Sequence, residues 1–358
     1  MEDKTFRIKT GVFAKDFLYP KTIATIIKKI SSYPGFKFEV YTSLPGSRLN
    51  GGRPNTYVIE NNCIYPLGDD HKRIKRESSN ALLIASDILS GKYPATKGDY
   101  FEKINYPKKN TIDPKNNTIK ELETKFRDSI RVLNSNGIGV GLALTNHFID
   151  KSDLEDPYFQ RTADFLADQS REGVKNSITY VNDKLADFLR SKYGQQLGLT
   201  ASIIKFCAQP DLTYQESLKT ADDVVLFHGD IFDDEVLNSI PKNKRKNVFI
   251  LASTGCKLQC SKQSANQHYL HASRFNRGEI ETFERGFCKF KKSENCSPDK
   301  QMFEKLIDLG YISYKFGRST CLSEQSLLSM AGPYEHLQMP KTLNYYFKNK
   351  ENEMGAGK

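Results

Sequence analysis

The chain has 358 residues, 38% of them hydrophobic and 27% charged, which is enough apolar material for a sizeable core and excludes both a disulfide-stapled miniature and a disordered chain. Lys and Arg number 53 against 43 Asp and Glu, a net charge of +10 that favours an anionic partner, either a small molecule or RNA. No run approaches the roughly 18 apolar residues of a membrane span, and Met1 to Thr5 lack the basic-then-apolar order of a signal peptide. A cytoplasmic protein without membrane contact is expected.

In chain order, residues 22–32 carry apolar positions at helical spacing, and 36–41 read as a strand that ends in a Pro/Gly-rich loop. From 55 to 118 the pattern blurs, with only 80–88 helical, and this stretch reads as an irregular insertion. Residues 119–134 read as a helix and 137–145 as a continuous apolar strand. The rhythm then turns regular. Helices are expected at 164–172, 183–193, 214–220 and 233–240, and strands at 177–181, 197–204, 223–227 and 247–252. A Cys-containing insertion at about 255–299 follows, then a helix at 300–309, a strand at 312–316 and the start of a helix at 323–328.

Strands recurring every 20 to 25 residues with a helix between them are consecutive βαβ units of a parallel sheet. A doubly wound sheet should open its first βα turn with a phosphate-binding fingerprint, and none stands there. The expected architecture is therefore α/β, a (β/α)8-like TIM barrel with insertions, forming one domain over 1–340 before a polar tail at 341–358. In that fold chemistry sits on the loops after the strands.

Candidate residues follow from that rule. Asn50-Gly51-Gly52-Arg53 comes after the first strand and offers backbone N–H groups and a guanidinium to a carboxylate or phosphate, although Asn-Gly is also a standard turn. Asn146 and His147 end the strand from 137, Asn182 the strand from 177, and His228 and Asp230 the strand from 223. His147, His228 and Asp230 are the acid/base candidates. Asn182 and Asp230 are equally suited to cap the next helix. Lys315 and Arg318 close the last strand and could clamp an anion. Gly137, Gly139 and Gly141 sit at a strand start, where a helix stop and close backbone packing account for them.

Cysteines stand at 63, 207, 256, 260, 288, 296 and 321, and Cys63 and Cys207, alone in apolar stretches, read as core. Cys256 and Cys260 follow the strand at 247–252, with His268, His271, Cys288 and Cys296 downstream. Soft thiolates at a strand end suit an iron–sulfur cluster, and zinc held by two Cys and two of those later ligands is the alternative. No P-loop, zincin or serine-hydrolase motif occurs.

The segment from about 177 to 328 resembles the C-terminal part of the barrel in the collagenase-like peptidase family, which includes iron–sulfur proteins of tRNA and ubiquinone hydroxylation. The resemblance lies in Asn182-Asp183-Lys184-Leu185 after a strand, Cys256 beyond the strand at 247–252, and Asp308-Leu309-Gly310-Tyr311 leading into Lys315-Phe316-Gly317-Arg318. No His-Gly pair precedes Cys256, and no Glu stands between Phe316 and Gly317. The resemblance implies cluster ligation by Cys256 and Cys260, with Cys288 and Cys296 completing the set, and iron–sulfur-dependent hydroxylation or related redox chemistry on an anionic substrate. The other reading is an RNA-associated or structural metal-binding module without catalysis.

Overall fold

The computed structural model describes residues 5–11, 36–44, 47–51, 57–60, 63–66, 118–253, 261–277 and 300–318, with single positions at 17, 20, 21, 23, 24, 27 and 279. Eight parallel strands close into a barrel: β1 (Phe6–Gly11), β2 (Phe36–Thr42), β5 (Gly139–Leu144), β6 (Ser177–Tyr180), β7 (Gly198–Ala201), β8 (Asp223–Val225), β9 (Val248–Ser253) and β10 (Ser313–Arg318). Strand β10 returns to pair with β1 and seals the ring. The α/β barrel expected from the repeat is therefore the fold. Two further strands, β3 (Tyr57–Glu60) and β4 (Cys63–Pro66), form a separate antiparallel hairpin inside the stretch read as an insertion.

The helices begin and end where local chemistry allows. Helix α1 (Thr118–Ser135) buries Phe126, Ile130 and Leu133 on one stripe, and Gly137 at φ 77° lets the chain leave it in a left-handed turn. A single turn, α2 (Lys151–Leu154), is closed by a capping box between Asp150 and Asp153, and α3 (Pro157–Gln169) starts on an Asp156 cap with proline in its first turn. Helix α4 (Asp183–Tyr193) is capped by Asn182, carries Asp183 in its first turn and Arg190 and Lys192 in its last, and so matches its own dipole at both ends. Three shorter helices follow: α5 (Ile203–Ala208), α6 (Tyr214–Ser217) and α7 (Asp234–Ser239). Helix α8 (Lys262–Arg277) comes after β9, and α9 (Lys300–Asp308) leads into β10. No helix among the described residues is long and apolar enough to cross a membrane.

Alternation along the strands divides the molecule into a shell and an interior. The outward positions Ile8, Val40, Leu142, Ile178, Val224 and Ile250 belong to one buried apolar cluster with Phe126, Phe159 and Leu189 of the surrounding helices. Each such side chain, fully buried, contributes about 1.5–3 kcal/mol. The inward positions are of another kind. Because barrel strands tilt, side chains level with one another come from alternate strands. Upward from the N-terminal end, the registers set Arg7 with Gly139 and Gly198, then Glu39 with Ser177, Asp223 and Ser313, then Lys9 with Gly141, Thr200 and Phe249. Above these come Tyr41, Thr179, Val225 and Lys315, and above them Gly11, Ala143 and Leu251.

Barrel interiors are ordinarily filled by branched apolar residues, whereas this one is ionic. Lys9, 1% exposed, places its Nζ 3.1 Å from Glu39 and 3.7 Å from Asp223 and donates to Thr200 at 2.8 Å. Arg7 holds Asp223 through two hydrogen bonds of 2.7 Å each. Gly141 makes room for this arrangement, since a Cβ there would lie 2.4 Å from the Glu39 carboxylate and would have to displace it.

Candidate active site at the C-terminal mouth

The polar groups at the strand ends converge on helix α8, which runs across the rim from the β8 side to the β2 side. At its start, Lys262 pairs with Asp230 at 2.7 Å. Asp230 also accepts a hydrogen bond from the Tyr214 hydroxyl, whose oxygen in turn receives the Phe227 N–H at 3.1 Å. Burial, and then the neighbouring Asp230, push the Tyr214 hydroxyl far above its ordinary pKa, so it stays a donor. In the same first turn, Ala265 packs on Cys207 and Phe227. At its end, Arg277 engages Asp153, Asp150 at 2.7 Å and Glu279 at 2.9 Å.

His147 sits under the middle of α8. Its Nδ1 lies 3.1 Å from the Ser273 hydroxyl and its Nε2 3.1 Å from the Asn266 side-chain oxygen. Ser273 also accepts the His147 backbone N–H at 3.3 Å. The three contacts are mutually consistent when Nε2 carries the proton and Ser273 donates to Nδ1. Burial lowers the His147 pKa and outweighs the opposing Asn266 hydrogen bond, which keeps the ring neutral. Ser273 is fully buried, so this serine–histidine pair faces helix packing and not solvent.

The loop after β2 is locked into the same assembly. Asn146 donates to the Arg48 and Asn50 carbonyls, at 2.6 and 3.2 Å, and to Ser273 O at 3.1 Å, while Asn276 donates to Asn50 O at 2.8 Å. The Asn50 amide reaches the Leu44 carbonyl at 2.7 Å. Gly51 crosses directly over the end of β5, where a Cβ would lie 2.0 Å from Thr145 O. The glycine expected to bring N–H groups to an anion thus has a close backbone crossing to satisfy. Asn182 receives the Lys184 N–H as a cap, at 2.9 Å, and its own amide donates to His147 O at 2.7 Å.

His228 differs from these. It lies beyond the end of β8 with its ring 4.1 Å from Phe227, and its buried Nε2 has no hydrogen-bond partner. Burial lowers its pKa against the opposing pull of Asp230. Lys315 lies inside the barrel, 8% exposed, with Nζ 4.2 Å from the centre of the Tyr41 ring. In the same layer the Thr179 hydroxyl is buried without a partner. Arg318 ends β10, but its side chain lies outside the described residues, as do Gly52, Arg53, Cys256, Cys260, Cys288 and Cys296. His268 and His271 fall on α8. Among the described residues no three His, Cys, Asp or Glu side chains come together as a metal would require.

Tyr41, Thr179 and the Lys205–Asp183 pair at the rim escape sequence reasoning. Their signal is strand parity: Tyr41 and Thr179 share the inward phase of Glu39 and Ser177.

No family model matches the chain, and no curated protein matches it. A solved structure, that of the U32 peptidase Mk0906, superposes at a TM-score of 0.45 with 11% identity, covering 88% of this chain and 93% of that one. A likeness of that degree carries no argument, and the barrel is established by the strand pairing itself.

Proposed function

We propose that this chain is a (β/α)8-barrel enzyme that takes an anionic substrate into its C-terminal mouth, above the layer of Tyr41, Thr179 and Lys315. One observation carries this reading: a nearly buried ammonium and an orphan hydroxyl share one inward layer near the C-terminal end of the barrel, beneath the layer of Gly11, Ala143 and Leu251. A buried polar group without a partner costs about 1–3 kcal/mol. An anion lowered into this layer would give the Thr179 hydroxyl a partner beside the Lys315 ammonium, in a site from which water is largely excluded.

The rim residues take two roles in this reading. His228, with a free ring nitrogen, moves protons. His147, Asp230, Asn146, Asn50 and Asn182 hold α8 and the β2 loop over the mouth, and Arg53 and Arg318 add positive charge from neighbouring loops. An iron–sulfur cluster on Cys256 and Cys260, completed by Cys288 and Cys296, would supply redox chemistry such as hydroxylation, and zinc is the other metal suited to these ligands. Anaerobically purified protein should then be brown and contain iron and sulfide; colourless, iron-free protein ends the cluster assignment, and about one zinc per chain replaces it.

The mouth is tested by thermal shift with a panel of dicarboxylates, phosphate and phosphomonoesters. A ligand that binds only the folded state raises the melting temperature by mass action. At least one anion should stabilise the wild type and not Lys315→Met, with partial recovery in Lys315→Arg. Equal shifts in all three proteins would sink the assignment. A steep, salt-sensitive affinity for a random tRNA pool that Lys315→Met leaves intact would favour RNA contact by the outer basic loops instead.

A further inference from the structure

We propose that the opposite, N-terminal face of the barrel carries a second site, which binds a compact polyphosphate between Lys37, Lys219 and Lys244. A cavity of about 910 Å³ opens on that face, with Arg7, Lys9, Glu39 and Asp223 as its floor. Charge on the floor is balanced, since Lys9 and Arg7 are met by the two carboxylates. Charge on the wall is not. Lys175 and Arg190 share Asp222, at 3.5 and 3.1 Å, and Arg190 also donates at 2.8 Å to Gly194 O, serving the negative end of α4. Lys37 at the start of β2, Lys219 ahead of β8 and Lys244 ahead of β9 line the same cavity, are exposed, and have no carboxylate within ion-pair distance among the described residues.

Three exposed ammonium groups from three separate segments, set against Asp187 on the same wall and with Glu216 near Lys219, leave an excess of positive charge that focuses potential into the concavity. Lysine ammonium groups suit phosphate oxygens approached from several directions. Phe249, the aromatic ring of the floor, already has Arg7 and Lys9 over it, at 4.8 and 4.6 Å from its centre, which competes with stacking of a base. Phosphate groups are therefore what the cavity can read, whether free or carried on a nucleotide. The basic run at 242–246 gains a meaning too. Lys244 enters the cavity wall, Arg245 turns inward to the Ile240 and Leu309 carbonyls, at 3.0 and 2.7 Å, and Lys242 and Lys246 stay outside the lining.

The test is calorimetric titration of the full chain with inorganic pyrophosphate at low salt, with ADP as a parallel arm. Wild type should bind one pyrophosphate per chain. The double variant Lys37→Glu, Lys244→Glu should bind roughly tenfold or more weakly, because each lysine supplies a charge-assisted contact. The control Lys242→Glu, Lys246→Glu makes the same change of charge outside the cavity and should stay within about twofold of wild type. Tighter binding of ADP would identify a nucleotide as the carrier, and equal or weaker binding a free polyphosphate. Equal weakening by both lysine pairs would reduce the site to diffuse surface charge, and loss of binding in Lys315→Met would move it to the mouth. Either result, or no binding by wild type, overturns the proposal.

Discussion

The shell and the interior of this barrel are built by opposite chemistry from the same strands. Outward residues such as Leu142, Ile178 and Ile250 are fully buried against helices, and the inward residues Lys9 and Asp223 are buried as ions, with Glu39 half-buried beside them. The fold is therefore held by the interface between sheet and helices, which leaves the inside free to carry charge. That division explains how a strand as short as β8, three residues long, can hold an ion partner inside and an apolar anchor, Val224, outside.

The largest expected effect tests the interior. Asp223→Ala removes both carboxylate bonds of Arg7 and leaves Lys9 with Glu39 as its one carboxylate partner among the described residues, and removing one partner from such a cluster should cost about 3–5 kcal/mol in denaturant unfolding. A loss under about 1 kcal/mol would mean that water already screens the cluster. In the shell, Leu142→Ala should cost about 2–5 kcal/mol. Salt separates the two, since the Leu142 loss should be unchanged by added salt while that of an ionic cluster shifts.

Smaller effects sharpen the same contrast. Gly141→Ala should cost about 1–3 kcal/mol through its clash with Glu39, and less when Glu39→Asp withdraws the carboxylate. An undiminished loss would place the clash elsewhere. The smallest effect concerns pH. His147 and His228 both have folded pKa values below the ordinary 6.5 because burial disfavours their charged forms. Below about pH 6.5 the unfolded chain binds more protons at these sites than the folded one, so stability should fall as the pH drops from there. Melting temperatures for wild type and His147→Gln should diverge less at acid pH than at neutral pH, because the variant lacks one of these protonations. Parallel curves would show that His147 does not titrate in this window.

The βαβ rhythm made most of the barrel legible. Helix α4 is expected at the bounds it takes, and the strands after 137, 177, 223, 247 and 312 differ from expectation by a residue or two at their ends. Strand β1 is the instructive omission. Its apolar Phe6 and Ile8 face the shell while Arg7 and Lys9 point inward, an alternation that looks like a solvated segment when the inside of the barrel is charged. Helix α3 spans residues 157–169 against the expected 164–172, because it starts at the Asp156 cap and Pro157, which lie ahead of the apolar spacing. The strand expected at 197–204 stops at Ala201, where Ser202 caps α5. Helix α8 lay hidden in the cysteine-containing stretch because its Asn, Gln, His and Ser residues give no strong apolar stripe; those polar groups bind the rim instead.

The site was legible by position more than by role. His147, Asn146, Asn50 and Asn182 do meet at one rim, yet their hydrogen bonds are made to each other and to α8. Which partner a polar side chain finds is decided by a helix far along the chain, and no local spacing encodes that. Lys315 was expected at a strand end and lies within the barrel, because strand parity sets its direction. The helix expected at 80–88, the one at 323–328 and the four cysteines proposed as ligands lie outside the described residues.

A crystal structure of the full chain with the anion that gives the largest Lys315-dependent stabilisation tests the account most directly. The anion should lie roughly 3 Å from both Lys315 Nζ and Thr179 Oγ1, inside the mouth and beneath α8. Protein side chains filling the space above Lys315, with the anion bound at another surface, would contradict it.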